Sequence, residues 1–423
     1  MKLLFQNKLV KVLSLNSLSV GLNFILGLVS VNIVAQLLGP SGMALMGSFR
    51  NFTALSKSFS SLGINASVVR LFVENKEDKQ ALTKIYSTFF WLLTLVSVFV
   101  GVMILLFSNP ISNYLFSTSE YSFAVQLFGL LLPLFVLNAF WIAIYNGLQC
   151  FKNIVIIQMM SSVIVFVLTV SLIYYGKLTG ALISIAVCDL IMFIITALFV
   201  YRNKSDFSFQ LEKTISKPYL SVIGEFSKMA LLSAVIVPVT LILIRNLIID
   251  FQSVEKAGIW EAINRISGFY MMFFTSGLSL YYMPKLAELK TDAEFREELR
   301  YYFKTLIPLF TVVLILVYLL KDFIISVALT NEFKEVNSLM IWQLTGDFLR
   351  MITLAFGYQI LVKTMTKKYI AVEVVFNLSY LVLSYFLMQT QQVEGVVKAY
   401  FIANFLSLIV VLLFFRKLFL SNN

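Results

Sequence analysis

The sequence predicts an all-α membrane protein: twelve transmembrane helices in two pseudo-symmetric six-helix lobes around a central cavity. Three observations carry this. Of the 423 residues 59% are hydrophobic and 13% charged, against roughly 45–50% apolar and about 25% charged in soluble chains. The apolar residues fall in runs near 20 long, enough to cross about 30 Å of hydrocarbon at 1.5 Å per residue. Cationic residues crowd into alternate connectors between those runs.

The first half places spans at 13–36, 43–66, 84–107, 123–147, 154–174 and 179–201. The second places them at 227–249, 257–283, 301–321, 335–362, 369–388 and 394–415. Each run is expected to be helical, because lipid offers no partner for an unpaired backbone N–H or C=O. Most of the 33 Lys and Arg lie in the N-terminal segment, the even-numbered connectors and the C-terminal tail; Lys177, Arg245, Lys256, Lys321 and Lys334 lie at the opposite ends. The bias places both termini in the cytoplasm and favours an even number of spans. The basic start, Met1 to Lys11, leads into an apolar run without a small-residue cleavage site and reads as a retained first helix.

Three sequence echoes mark an internal repeat at an offset of roughly 213 to 216 residues: Gly180-Ala181 with Gly395-Val396, Leu115 to Thr118 with Ala328 to Asn331, and Gly42 and Arg50 with Gly258 and Arg265. The expected division is a lobe over 1–205, an amphipathic cytoplasmic linker over 206–226 and a second lobe over 227–423. Repeats of this kind place a substrate site near the membrane midplane.

The net charge of +11 is spread in short clusters between apolar runs, a pattern that suits lipid headgroups and not nucleic acid. There is no His, and Cys150 and Cys188 form no metal or disulfide pattern, so no metal site or cofactor is expected. No connector is long enough for an extramembrane catalytic domain, so an enzyme is not expected.

Charges inside the spans cost roughly 2.5–3.5 kcal/mol each on insertion scales and need an internal reason. Arg50 and Lys57 are two turns apart on the second span and share a face; Arg265 is near the equivalent place in the eighth. With Arg350, and with Arg245 at a helix end, these are the candidate substrate-binding cations, since Arg grips phosphate bidentately and Lys acts as a point charge. Asp189, Glu261, Asp347 and Glu373 are the candidate ion-coupling or counter-charge groups. Five span cations face four carboxylates, a shortage an anionic substrate would fill. The alternative is simple pairing of Glu261 with Arg265, Asp347 with Arg350 and Lys363 with Glu373. Trp91, Trp141, Trp260 and Trp342 suit an interfacial belt, with sugar stacking the second reading for Trp260 and Trp342. Pro133 and Pro238 are expected to kink their helices.

The segments Gly39 to Phe52 (GPSGMALMGSFRNF), Ala257 to Leu286 and Asn331 to Lys363 resemble the bacterial O-antigen and lipid III flippases, the polysaccharide branch of the MATE-like exporter superfamily. The resemblance implies a MATE-like fold of two lobes and, as activity, movement of an undecaprenyl-pyrophosphate-linked oligosaccharide from the cytoplasmic to the periplasmic leaflet of the bacterial inner membrane. Membrane lipids and the glycan polymerase and ligase machinery are the partners it implies. Arg50, Arg245, Asp347, Lys363 and Glu373 match positions where the family carries like residues, whereas Arg265 and Gly268 depart from its lipid III branch. The competing readings are a MATE-type cation-coupled drug or metabolite antiporter, which would favour an acidic cavity, and a membrane-embedded polymerase or ligase, which would need a larger outer loop.

Overall fold

The computed structural model describes residues 2–63, 65–203, 209–213 and 215–420, and among them there is no strand. The helices are α1 (Lys2–Ser60), α2 (Asn65–Glu74), α3 (Lys79–Leu106), α4 (Ser108–Phe116), α5 (Ser122–Gly147), α6 (Phe151–Arg202), α7 (Lys217–Phe251), α8 (Val254–Gly277), α9 (Met283–Glu288), α10 (Asp292–Leu319), α11 (Lys321–Ala328), α12 (Val336–Val362), α13 (Thr366–Phe414) and α14 (Arg416–Leu420). Seven of the described helices are long and apolar enough to cross a membrane. With apolar side chains such as Leu95, Phe99, Leu106, Leu309 and Leu319 exposed along them, this is a multi-pass membrane protein.

Three long helices are broken at single residues. In α1 the break is Gly39, followed by Pro40; in α6 it is Lys177 (φ 46°, ψ −127°); in α13 it is Gln392 (φ 53°, ψ −140°). Lys177 and Gln392 stand 215 residues apart with nearly the same backbone angles. The same offset relates Gln149 (φ 60°) to Thr364 (φ 52°). There Cys150 N–H donates to Tyr145 O in one half and Met365 N–H to Ile360 O in the other, both at 2.9 Å. The echo of Gly180 in Gly395 also acquires a cause. A Cβ on Gly180 would stand 1.8 Å from the Leu172 carbonyl oxygen, and one on Gly395 2.4 Å from that of Leu387. Each glycine lets one arm of its bent helix approach the other.

Packing divides the chain into two units: residues 1–33 with 48–238, and 34–47 with 239–423. The sequence did not foreshadow the assignment of 34–47 to the second unit. In unit 1, α5 is the hub, packed by α2, α3, α4 and α6, and Pro133 lies within it as expected. Its core is rich in rings: Phe49, Phe128 and Phe140 are all but fully buried, and Phe49 meets Phe116 and Phe128 edge-on at 5.9 and 6.1 Å.

Of the linker expected over 206–226, residues 206–208 and 214 lie outside the described residues. The described part that follows is fastened to α3. Phe209 is buried and rests on Phe72 and Tyr86. Trp91 Nε1 donates to Glu212 O at 2.8 Å, Glu212 N–H to Ser87 Oγ at 2.8 Å and Ser216 N–H to Thr88 Oγ1 at 2.9 Å.

In unit 2, α12 is the hub, packed by α8, α9, α10, α11 and α13. Segment 34–47 joins it through close backbone contact: a Cβ on Gly258 would stand 1.9 Å from Pro40 O, and Ser41 Oγ donates to Glu255 at 2.9 Å. Outside the membrane-spanning part, α10 begins with a capping box between Thr291 and Glu294. The Lys290 and Thr291 backbone N–H groups there hold the Glu294 carboxyl below its ordinary range.

Candidate functional site

In unit 1 the site lies on the second arm of α1 and on α6. Arg50 and Lys57 share a face of α1, as their spacing dictates. Lys57 Nζ pairs with Asp189 Oδ2, both side chains about a third exposed (32% and 30%). The ammonium lies 5.2 Å from the Phe135 ring centroid and 6.0 Å from that of Phe128. Arg50 and Lys57 both act electrostatically on the thiol of Cys188, which lies 3.4 Å from Thr169 Oγ1. The structure thus gathers Arg50, Lys57 and Asp189, and it pairs Lys57.

Unit 2 holds two polar clusters. In the first, Arg245 from α7 is fully buried, and its Nη2 meets Glu261 Oε2 at 2.5 Å. Arg265 Nε, one turn along α8, meets Glu261 Oε1 at 3.0 Å. One carboxylate therefore serves two guanidinium groups. Gly47 makes room for it, since a Cβ there would stand 2.6 Å from the Glu261 carboxylate and 2.7 Å from Arg245 Nη2. The Arg245 guanidinium carbon lies 5.3 Å from the Trp260 ring. Trp260 is 1% exposed and donates through Nε1 to Tyr380 OH at 3.1 Å. It is a core residue, which corrects both the belt and the sugar-stacking readings for Trp260. Trp342 instead carries the Lys398 ammonium 5.0 Å from its ring.

The second cluster surrounds Asp347 on α12, which is fully buried. Its Oδ2 accepts from Ser267 Oγ at 2.6 Å and from Tyr270 OH, both on α8, and its Oδ1 accepts from Tyr400 OH on α13 at 2.7 Å. Among the described residues no ion pair within 4 Å joins Asp347 to Arg350, the pairing that the i,i+3 spacing suggested. Arg350 bonds to Tyr400 and interacts electrostatically with Asp347 and Glu373. Arg350 is itself exposed. Lys363 Nζ donates to Leu289 O at 2.6 Å. At Gly268 an added Cβ would meet nothing within 4 Å.

Sequence reasoning missed the hydroxyl donors Ser267, Tyr270 and Tyr400. Ser267 and Tyr270 are spaced i,i+3, so one helix face carries both donors, but a tyrosine in an apolar run reads first as an interfacial anchor. Among the described residues no three of His, Cys, Asp and Glu gather as a metal would require.

Comparison with known proteins agrees with this architecture. The chain is 26% identical over 382 residues to the lipid III flippase of Escherichia coli (strain K12), covering 88% of this chain and 90% of that protein. Among solved structures it superposes on an inward-facing MATE-family multidrug transporter with a TM-score of 0.78, at 14% identity, over 95% of this chain and 96% of that one. It superposes on the lipid II flippase MurJ, in an inward closed conformation, with a TM-score of 0.75, at 16% identity, over 96% and 88% of the two chains. These two likenesses establish a shared fold. Residues 9–288 match the family described as polysaccharide biosynthesis protein, and the chain belongs to that family.

Proposed function

We propose that this protein is a flippase that carries an undecaprenyl-pyrophosphate-linked oligosaccharide, an O-antigen or related surface-glycan repeat, from the cytoplasmic to the periplasmic leaflet of the bacterial inner membrane. The observation that carries the reading is the excess of internal cations over carboxylates, Arg50, Lys57, Arg245, Arg265 and Arg350 against Asp189, Glu261, Asp347 and Glu373, with the one carboxylate of Glu261 shared by two guanidinium groups. An anionic head group makes up that shortage, whereas a cationic drug would meet repulsion, which weighs against the antiporter alternative. The lipid III flippase relative supports the substrate class.

In this reading twelve spans form two six-helix lobes, with both termini cytoplasmic. Each of the three bent helices crosses twice, and α8 and α12 complete the dozen. Arg50 of unit 1 and, separately, Arg265 and Arg350 of unit 2 are the cations that bind the pyrophosphate or acidic sugars while the polyprenyl tail stays in lipid, and alternating access delivers the head group outward. Arg245 and Lys57 act indirectly, by fixing Glu261 and Asp189. Replacing Arg50 by Ala abolishes surface glycan while the protein remains in the membrane; glycan output unchanged from wild type refutes the reading.

The coupling group in this scheme is Asp347, with a proton or sodium ion exchanged for the glycan. It is fully buried and shared by hydroxyl donors on two helices, so a change in its charge reaches α8, α12 and α13 together; Asp189 is already occupied by Lys57. In proteoliposomes Asp347→Asn abolishes the dependence of transport on an imposed ion gradient. Wild-type transport indifferent to proton, sodium and voltage gradients removes the coupling.

A further inference from the structure

Unit 2 contains a cleft of about 800 Å³ away from both charged clusters, lined by Asp322, Ser326, Thr330, Lys334, Asn337 and Ser338 over the apolar Ile325 and Leu329, with Asn331 at its edge. That volume falls within the roughly 300–1,000 Å³ of ligand clefts. It lies between α11 and the start of α12, beyond the C-terminal end of α10. The cationic end of unit 2, with Lys285, Lys290, Arg296 and Arg300, is at the start of α10. By the charge rule the cleft therefore faces away from the cytoplasm.

Its polar groups are partly committed in a way that fixes their geometry. Asn337 Nδ2 donates to Asp322 Oδ1. Ser326 and Ser338 each donate to a backbone carbonyl, Phe323 O and Glu335 O, at 2.8 Å, which leaves their oxygens as acceptors. Thr330 Oγ1 is buried with no hydrogen-bond partner. One cation, Lys334, balances one carboxylate, Asp322. The cleft therefore lacks the cation surplus of a phosphate site and the several carboxylates of a divalent-cation site. Closely spaced donors and acceptors over an apolar floor match a sugar ring, whose hydroxyls both give and accept while its C–H face is apolar.

The corresponding turn of unit 1 supplies an internal control. Leu115 to Thr118 echo Ala328 to Asn331, yet in unit 1 Ser112 Oγ donates to Thr118 O at 2.7 Å and Gln126 Nε2 to Ser108 Oγ at 3.1 Å, with Ser112 fully buried. Those bonds close the turn. In unit 2 the connection 329–335 is longer than 117–121 and contains a 3₁₀ turn, Asn331–Phe333. That longer turn lines the cleft.

We infer that this cleft is a carbohydrate site, binding sugar units of the glycan on the outer side of the membrane as the head group leaves the transport path. The inference rests on the flippase reading for its ligand, but it concerns a separate place on the protein. The test uses the full chain in lipid nanodiscs. The probe is the free oligosaccharide released by mild acid from the host's own lipid-linked glycan, with dextran as control. Calorimetry is expected to show saturable binding of the oligosaccharide to the wild type. Binding weakens about tenfold in Lys334→Gln and in Ser338→Ala, the loss of a hydrogen bond apiece. Lys334 and Ser338 are both exposed, so their variants fold. Equal affinity in wild type and Lys334→Gln, binding of dextran as tight as that of the oligosaccharide, or no binding to the wild type at millimolar sugar overturns the cleft assignment. Unchanged surface glycan in Arg50→Ala cells overturns the flippase reading instead, so the two failures are distinct.

Discussion

The two halves of the chain repeat each other in backbone and differ in chemistry. Lys177 and Gln392, Gln149 and Thr364, and Gly180 and Gly395 place the same breaks, turns and close approaches at one offset. Inside, the match ends. Leu132 and Phe135 of α5 stand at that offset from Asp347 and Arg350 of α12. In unit 1 the Phe135 ring receives the Lys57 ammonium, already paired with Asp189; in unit 2 the equivalent stretch carries a buried carboxylate and an exposed guanidinium. Backbone that must bend or touch was retained in both copies, while side chains facing the interior diverged. The functional asymmetry of the protein therefore lies in its charges, and unit 2 holds the more deeply buried ones.

The largest expected effect tests that difference in burial. Glu261→Gln leaves two guanidinium groups, one of them fully buried, without their carboxylate. Removing one partner of a buried pair costs about 3–5 kcal/mol, so this variant is expected to unfold in detergent at markedly lower temperature than the wild type. Asp189→Asn breaks a pair that is about a third exposed, where screening limits the loss to ~1 kcal/mol. Equal losses in the two variants would remove the distinction between the units.

A smaller effect tests the shared backbone. Ala at position 180 or 395 puts a methyl group against a backbone carbonyl that cannot swing away. Overpacking of this kind costs about 1–3 kcal/mol, and Gly180→Ala, with the closer approach, is expected to lose more than Gly395→Ala in thermal unfolding monitored by tryptophan fluorescence. A control at Gly176, where an added Cβ meets nothing within 4 Å, is expected to cost less than either.

Much of this was legible in the sequence because the membrane makes simple demands. Apolar runs of spanning length became helices, and the glycine echoes at 180 and 395 marked real backbone contacts. The pairing of Glu261 with Arg265 follows from i,i+4 spacing on one helix and is present. What escaped depends on contacts between helices. Spacing along α12 suggests that Asp347 meets Arg350, but Ser267, Tyr270 and Tyr400, distant in sequence, reach the carboxylate first. The second guanidinium on Glu261 comes from α7, and only tertiary packing brings Arg245 there. The assignment of 34–47 to unit 2 escaped for the same reason, since nothing local to Gly39-Pro40 announces that Gly258 is its neighbour.

The smallest effect concerns the bends themselves. Lys177 and Gln392 carry side chains at positive φ with ψ near −130°, a region that suits glycine. Holding a side chain there costs about 1–3 kcal/mol, while glycine costs about 0.5–1 kcal/mol in chain entropy. Lys177→Gly and Gln392→Gly are therefore each expected to stabilise the protein by ~1 kcal/mol, read as a rise of a few degrees in unfolding temperature. The break in α1 supplies the reverse case, for Gly39 already has φ 62° and a Cβ there would come within 2.9 Å of Glu332 Oε2. Gly39→Ala should fall in stability where the other two rise. If Lys177→Gly and Gln392→Gly changed stability in opposite directions, the two bends would be alike in angle but held by different forces, and the backbone repeat would be shallower than its geometry implies.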